Sequence, residues 1–219
     1  MPLDNLSTKP EEYFTQTRPE MLDFIPKSAK KILDVGCGSG LFSEQLKKNW
    51  DPEIWGVELD KDAAELAKDK IDKVLVGDIF QLLDDLPGKY FDCIIFNDLL
   101  EHLADPYRLL LKMKEKLTTN GIIVCSLPNV RYFPTLMDLL IKKQWKYEDA
   151  GILDKTHLRF FTQKSIIDMF NLLDYKIIKM EGINAITSWK FALLNILSLG
   201  YLTDTKYLQF ASVVKPNKK

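Results

Sequence analysis

The sequence is poor in the residues that hold small extracellular proteins together. Its 219 residues include three cysteines, Cys37, Cys93 and Cys125, which lie far apart within apolar stretches. This spacing matches neither a zinc motif nor a disulfide framework, so we expect buried thiols in a reducing compartment. Histidine and arginine are also scarce, with two and four residues respectively. Where this lysine-rich chain uses arginine, a planar bidentate contact is favoured.

An excess of charge and a long apolar run are both missing. The net charge is −1, which gives no general attraction to a nucleic-acid backbone. Four prolines among the first thirty residues exclude a signal-peptide core. The apolar stretch 191–202 contains polar residues and is too short to span a bilayer. We therefore expect a cytoplasmic protein without a nucleic-acid partner or an integral membrane segment.

Short apolar runs alternate with helical patterns along most of the chain. Strands are predicted at residues 31–35, 53–58, 74–76, 91–96, 122–125, 175–180 and 210–214. Asp60 and Asp105 are typical helix caps, and the helix after Asp105 has an apolar stripe that extends to Leu117. Strands that alternate with helices predict a parallel α/β sheet with helices on both faces, in one domain of residues 1–219. Residues 128–161 are predicted to be irregular.

The most informative segment is the glycine-rich turn that follows the first predicted strand. Gly36, Gly38 and Gly40 allow a sharp turn and a close approach of the backbone to a ligand, and the next helix offers free N–H groups. A dinucleotide-binding motif would need glycine where Leu41 stands, which disfavours a nicotinamide-dependent oxidoreductase. We expect Asp34, in the preceding strand, to organise this turn by accepting hydrogen bonds from the main chain or from a ligand amine.

Acidic residues stand at the ends of the next two strands. Glu58 lies 22 residues after Gly36, where a carboxylate can accept hydrogen bonds from both hydroxyls of a ribose. Asp78 can accept from the exocyclic amine of an adenine, and Ile79 can pack against its ring. No Gly-Lys-Ser/Thr segment is present for a nucleoside triphosphate. Together these residues predict a cleft for a nucleoside without phosphates.

These segments resemble the class I S-adenosylmethionine-dependent methyltransferases. The motifs that carry the resemblance are Gly36-x-Gly38-x-Gly40, Gly56-Val57-Glu58, Gly77-Asp78 and Asn97-Asp98-Leu99-Leu100-Glu101-His102. The chain is most similar to the ubiquinone-biosynthesis O-methyltransferases, and residues 156–162 are similar to enzymes of bacterial polysaccharide gene clusters. The resemblance implies a Rossmann-like, seven-stranded, mostly parallel sheet with an antiparallel last strand. It also implies S-adenosylmethionine as cofactor, bound by a core at residues 30–127.

The resemblance also implies roles for residues outside the glycine-rich turn. Arg18 is expected to reach the carboxylate of the cofactor's methionine part, and Asn97 is expected to contact the cofactor. His102 follows the fourth strand, at the edge of the sheet where ligands bind. A neutral imidazole titrates in the range that proton removal from a hydroxyl requires, so His102 is the expected general base.

The acceptor is expected to be a small molecule, with a sugar or glycan precursor and O-methylation favoured. Residues 128–162 are predicted to cover it, because aromatic side chains there can stack on a sugar and arginines can hold a polar group. We expect Arg131, His157 and Arg159 to contact the acceptor.

Three alternatives remain open at this stage. Asp98, Glu101, His102 and His157 could hold a metal ion, but their spacing is not a recognised ligand motif, so no metal is expected. The chain could also be an inert module that binds S-adenosylmethionine for a structural or sensing role. The stretch 191–202 is expected to be a packed helix or a homodimer contact, with a membrane-facing surface as the alternative.

Overall fold

A seven-stranded sheet forms the centre of the computed structural model, which describes residues 14–217. The strands are β1 (Lys31–Val35), β2 (Glu53–Glu58), β3 (Lys73–Val76), β4 (Phe91–Asn97), β5 (Leu117–Pro128), β6 (Tyr175–Ala185) and β7 (Tyr207–Pro216). Their order is β3-β2-β1-β4-β5-β7-β6. β7 runs antiparallel to both of its neighbours, whereas the pairs from β3 to β5 are parallel. The predicted Rossmann-like α/β fold is confirmed.

Two buried apolar clusters flank this sheet. In β4, Ile94 belongs to one cluster and Ile95 to the other, and both side chains are fully buried. Successive side chains of a strand point to opposite faces, so a strand that is apolar throughout must be covered on both sides. The covering helices are among α1 (Leu41–Trp50), α2 (Lys61–Lys68), α3 (Pro106–Met113), α4 (Phe133–Leu140), α5 (Gln163–Leu172) and α6 (Trp189–Leu197).

The predicted helix starts are present, but one helix ends earlier than expected. The Asp60 carboxylate accepts hydrogen bonds from two N–H groups of the first turn of α2, and Asp105 accepts one at the start of α3. α3 ends at Met113, so the expectation that its apolar stripe includes Leu117 is wrong. Leu117 begins β5 and pairs with Phe91 of β4, because the chain turns sharply between Met113 and Lys116.

Residues 129–161 form an excursion from the sheet whose two ends meet. Asn129 and Phe161 form a β-bridge, and the Val130 N–H donates to the Phe161 carbonyl. The segment was predicted to be irregular, yet it contains α4. The helix was missed in the sequence. It is eight residues long and has no buried residue, and its apolar side chains include the exposed Leu139 and Leu140.

None of the helices within residues 14–217 combines the length and apolar character that crossing a bilayer requires. Residues 1–13, on which the expectation of no signal peptide partly rests, lie outside the described residues.

Candidate active site

A cavity of about 500 Å³ lies beside the carboxyl ends of β1, β2 and β4, and we call it the glycine-loop cavity. The residues expected to bind the cofactor line it, with one exception: they are Arg18, Asp34, Gly36, Gly38, Glu58, Asp78, Ile79 and Asn97. The exception is Gly40, which instead begins α1 with a positive φ of 78°. A Cβ atom at Gly40 would lie 3.1 Å from Ala67, so this glycine allows α1 to pack closely on α2.

Glu58 fixes the shape of the glycine-rich turn. One carboxylate oxygen accepts a hydrogen bond of 2.7 Å from the Gly38 N–H, and the other accepts from the N–H groups of Leu59 and Asp60. Burial raises the pKa of Glu58, and these three N–H groups oppose the rise. A carboxylate has about four lone-pair directions, so Glu58 can hold the turn and still accept from a ligand hydroxyl.

Gly38 must be glycine for a second reason besides its backbone angle. Its φ is 54°, in the left-handed region, and an added Cβ atom would lie 2.8 Å from the Phe14 carbonyl oxygen. The turn is thus clamped between the N-terminal segment and Glu58.

Polar atoms at the base of this cavity fit the methionine end of S-adenosylmethionine. Asp34 is buried and accepts a 2.7 Å hydrogen bond from the Ser43 hydroxyl. Burial raises the pKa of Asp34 to about 6, against the lowering effect of Ser43 and with a contribution from the charge of Glu58. The buried Oδ1 of Asn97 accepts no hydrogen bond from any described residue. This oxygen therefore has room for a hydrogen-bond donor, which an ammonium group would supply.

A second cavity, of about 270 Å³, adjoins the first, and we call it the two-histidine cavity. Gln16, Arg18, Asp98 and His102 line both cavities. The second cavity is further lined by Glu101, His157 and residues of the excursion. The wall between the two cavities therefore contains the residue expected to act as general base.

Both histidines have one ring nitrogen engaged in a way that fixes the proton position. Nδ1 of His102 lies 3.3 Å from the Thr156 carbonyl oxygen and 3.0 Å from the Thr156 hydroxyl, which itself donates to Asp154. Nδ1 of His157 lies 2.9 Å from the Ile152 carbonyl oxygen. A carbonyl oxygen can only accept, so the hydrogen-bond network assigns the proton of each neutral ring to Nδ1. Nε2 of each ring then carries the lone pair.

Glu101 is a deeply buried acidic residue of the site. Its side chain is 1% exposed, and neither carboxyl oxygen accepts a hydrogen bond from the described residues. Burial raises its pKa to about 8, opposed by its own main chain and by Arg18, and the charge of Asp154 adds to the rise. Nε2 of His157 lies 3.9 Å from Oε1 of Glu101.

The ligand atoms of Glu101, His102 and His157 lie within 4.8 Å of one another, so these three residues could hold a divalent cation. Two imidazoles and one carboxylate are a typical zinc set. The expectation of no metal is therefore not favoured by this geometry. The oxygens of Asp98, the fourth residue considered for a metal, are engaged by Arg18, Ser126 and Gln209.

Arg18 lies at the junction of the cavities in a polar network. Its guanidinium forms an ion pair with Asp98, donates to Glu20 at 2.7 Å, and donates to the Gln209 side chain at 3.0 Å. Two carboxylates thus already balance its charge. A cofactor carboxylate would have to share this arginine with Asp98 and Glu20.

The other two arginines expected to bind the acceptor lie outside the linings of both cavities. Arg131 pairs with Asp204 at 2.8 Å. The Arg159 guanidinium donates to the Ala104 carbonyl, and its main-chain N–H donates to the Glu101 carbonyl. These positions favour a role in anchoring the excursion, and acceptor contact by either arginine stays a prediction. His157, in contrast, lines the two-histidine cavity as expected.

Several polar lining residues were not assigned to the acceptor from the sequence, namely Gln16, Glu20, Asp98, Glu101, Asp154, Asn184 and Gln209. Asp98 and Glu101 lie within the motif that carried the resemblance, where they were considered as metal ligands but not as acceptor contacts. One sequence feature could have indicated Gln209, which is a polar residue beside a strand that is otherwise predicted to be buried. No sequence feature indicated Asn184 or Glu20, because only the tertiary fold brings them to the two-histidine cavity.

Comparison with known proteins agrees with this geometry. A family model described as a methyltransferase domain matches residues 9–180. The ubiquinone biosynthesis O-methyltransferase of Actinobacillus pleuropneumoniae (serotype 5b) is 26% identical over 204 residues, which cover 86% of each chain. The mitochondrial enzyme of that name from Saccharomyces cerevisiae is 32% identical over 76% of this chain and 59% of its own length.

Solved structures share the fold. An S-adenosylmethionine-dependent methyltransferase from Archaeoglobus fulgidus superposes with a TM-score of 0.68 at 22% identity, covering 94% of both chains. A second such enzyme, from Mesorhizobium loti, superposes with a TM-score of 0.61 at 18% identity over 90% of this chain and 95% of its own.

The sheet order, the glycine-rich turn and the acidic strand ends define a class I methyltransferase. The chain belongs to the methyltransferase domain family, whose model matches it over most of its length. It is an S-adenosylmethionine-dependent methyltransferase, as the resemblance implied. The family assignment supports an enzyme over an inert binding module.

Proposed function

We propose that this methyltransferase transfers a methyl group to a hydroxyl of an uncharged, polar small molecule such as a sugar unit, and that His102 accepts the hydroxyl proton. One observation carries the proposal: His102 lies in the wall shared by the two cavities. A base in that position can reach an acceptor in one cavity while the cofactor fills the other. The relatives named as O-methyltransferases support oxygen as the methylated atom.

The lining of the two-histidine cavity supports a polar and uncharged acceptor. Side chains able to form hydrogen bonds come from Gln16, Asn184 and Gln209, and they lie beside apolar surface such as that of Ile152 and Leu208. Carboxyl groups in the lining outnumber the one arginine, Arg18, which is already paired with two of them. An anionic acceptor would meet like charge in a partly buried site, which is costly.

The chain's own residues account for cofactor binding. Glu58 would accept a hydrogen bond from a ribose hydroxyl, Asp78 and Ile79 would contact the adenine, and Asp34 with Asn97 would hold the ammonium group. When bound, S-adenosylmethionine supplies a methyl group on a sulfonium that is an excellent leaving group. The protein therefore has two tasks, which are to orient the acceptor oxygen and to remove its proton.

His102 is oriented for the second task. Its Nδ1–H donates towards Thr156, whose hydroxyl donates in turn to Asp154. These two hydrogen bonds hold the imidazole ring of His102 in place. They also stabilise the positive charge that develops on the ring when Nε2 takes the acceptor proton.

The test is a matched pair of histidine variants in an assay with a proven hydroxyl acceptor. His102→Ala should lower kcat by roughly 10²–10⁴, the usual contribution of a positioned general base, with little change in cofactor affinity. His157→Ala should retain most of kcat, because His157 lines only the acceptor side. A His102→Ala enzyme with near-normal kcat would contradict the proposal.

A second mechanism is favoured by the cluster of Glu101, His102 and His157. Metal-binding histidines usually donate their other ring N–H to a carbonyl, and both histidines do so here. A divalent cation held by these three residues would supply Lewis-acid activation of the acceptor oxygen. In that case His102→Ala and His157→Ala should lose activity to a similar extent, which distinguishes the two mechanisms.

A further inference from the structure

We propose that α4 and α6 form a docking surface for an anionic lipid bilayer. The proposal does not depend on the identity of the acceptor or on the role of His102. It concerns the face of the molecule formed by residues 133–147 and 186–203, which we call the α4–α6 face.

The α4–α6 face exposes large apolar side chains on both of its helices. In and just after α6, Trp189, Ile196, Leu197 and Leu199 are between 71% and 96% exposed. At the end of α4, Leu140 and Ile141 are about as exposed, at 70% and 68%. A helix in water normally hides such residues on one face. An exposed group of this size is typical of an interaction surface.

The two helices belong to one continuous surface. The ring of Phe133, at the start of α4, packs edge-on against Phe191 of α6 with centroids 5.3 Å apart. The Arg131 guanidinium lies 5.8 Å from the ring centroid of Tyr201, beyond the end of α6. The polar Asn195 of α6 is satisfied locally, since its amide donates to the Thr203 hydroxyl at 3.1 Å. The remaining surface of α6 is thus free to enter an apolar medium.

Lysines outnumber acids on this face. Residues 133–147 contain three lysines and one acid, Asp138, and residues 186–203 contain Lys190 and no acid. Lys142 is paired with Asp138 and Lys146 with Glu148, but no ion pair is found for Lys143 or Lys190 among residues 14–217. The whole chain carries −1, whereas the α4–α6 face carries a net positive charge.

This combination fits a bilayer better than a second copy of the chain. Two copies joined through this face would bring the same lysines together, and like charges would oppose the contact. A bilayer with anionic lipids offers phosphates to the lysines and acyl chains to the leucines. Trp189 and Tyr201 have the amphipathic rings that are enriched at the membrane–water boundary.

Vesicle sedimentation tests the proposal. The full-length protein should sediment with vesicles of phosphatidylcholine and phosphatidylglycerol, and salt should weaken the binding. The double variant Ile196→Ser, Leu197→Ser should bind at least about tenfold more weakly, because two exposed side chains no longer enter the acyl region. Leu172→Ser is the matched control, since Leu172 on α5 is similarly exposed, at 76%. It should bind like the wild type.

The charge contribution has its own pair of variants. Lys143→Gln should weaken binding to the anionic vesicles by about fivefold, which corresponds to about 1 kcal/mol for one lysine near the surface. Lys164→Gln, at an exposed position of α5, should have no effect. Retained affinity for S-adenosylhomocysteine shows that each variant is folded.

Two results would overturn the proposal. One is an absence of sedimentation with anionic vesicles at low salt. The other is wild-type binding by the double α6 variant. If vesicles do not bind and sedimentation velocity shows a dimer that the α6 variant abolishes, the face is a contact between copies of the chain instead.

As a second readout, a blue shift of tryptophan fluorescence on vesicle addition should be reduced in Trp189→Phe.

Discussion

The two cavities of this methyltransferase are built in different ways. In the glycine-loop cavity, the two buried acids are satisfied mainly by near neighbours in the chain: Glu58 by Leu59 and Asp60, and Asp34 by Ser43. In the two-histidine cavity, Asp98 contacts Gln209 across 111 residues, and Glu101 has no hydrogen-bond partner for its carboxyl oxygens among the described residues. The first cavity therefore holds its acids in place before a ligand binds, whereas the second contains a buried acid whose oxygens accept no hydrogen bond within residues 14–217.

The strongest test of this contrast is the pH dependence of stability at Glu101. The folded chain keeps this proton up to a pKa of about 8, while the unfolded chain releases it near 4.5. The stability of the wild type should therefore fall by about 1.4 kcal/mol per pH unit between these values, relative to Glu101→Gln. Urea denaturation of both proteins from pH 5 to pH 9 checks this, with chelator present throughout. If the free energies of unfolding of the two proteins change in parallel with pH, Glu101 is ionised in the folded state and the prediction is wrong.

A second test concerns the preformed cavity. Glu58→Gln keeps the side-chain shape but removes the charge that accepts from Gly38 and from the ribose. We expect S-adenosylmethionine to bind about 1.5–3 kcal/mol more weakly, as measured by calorimetric titration. Glu53→Gln is the control, because Glu53 lies at the other end of β2 and binds Trp55 and Tyr90. Equal affinities for the two variants would contradict the ribose assignment.

Arg159 tests whether the excursion is anchored or binds the acceptor. Its guanidinium donates to the Ala104 carbonyl at an exposed position, so Arg159→Ala should lower the free energy of unfolding by only about 0.5–1 kcal/mol. The acceptor KM should stay unchanged. A raised KM with unchanged stability would instead support the acceptor contact expected from the sequence.

The smallest effect is expected from metal removal. If His102 acts as a proton acceptor, extensive dialysis against a chelator should leave kcat unchanged. A loss that Zn²⁺ or Mg²⁺ restores would assign Glu101, His102 and His157 to a metal centre, and the unpartnered carboxyl of the second cavity would then be a metal ligand.

The sequence predicted the first cavity better than the second for a physical reason. Strand ends and the turn that follows them are local features, so Gly38, Glu58 and Asp78 could be located from apolar runs and glycine spacing. Asn184 and Gln209 reach the second cavity only because β7 inserts antiparallel between β5 and β6. α4 was not predicted because its exposed residues are apolar, whereas a helix that faces water normally exposes polar residues.

The meeting of Asn129 and Phe161 at the base of the excursion makes that segment a replaceable module. Both ends leave the sheet at nearly one point, so a different loop could be inserted there without altering strand order or the cofactor turn. Ile152, Asp154 and His157 would be exchanged together with it. We therefore expect that exchanging this one segment between such chains changes the acceptor preference and leaves cofactor binding intact.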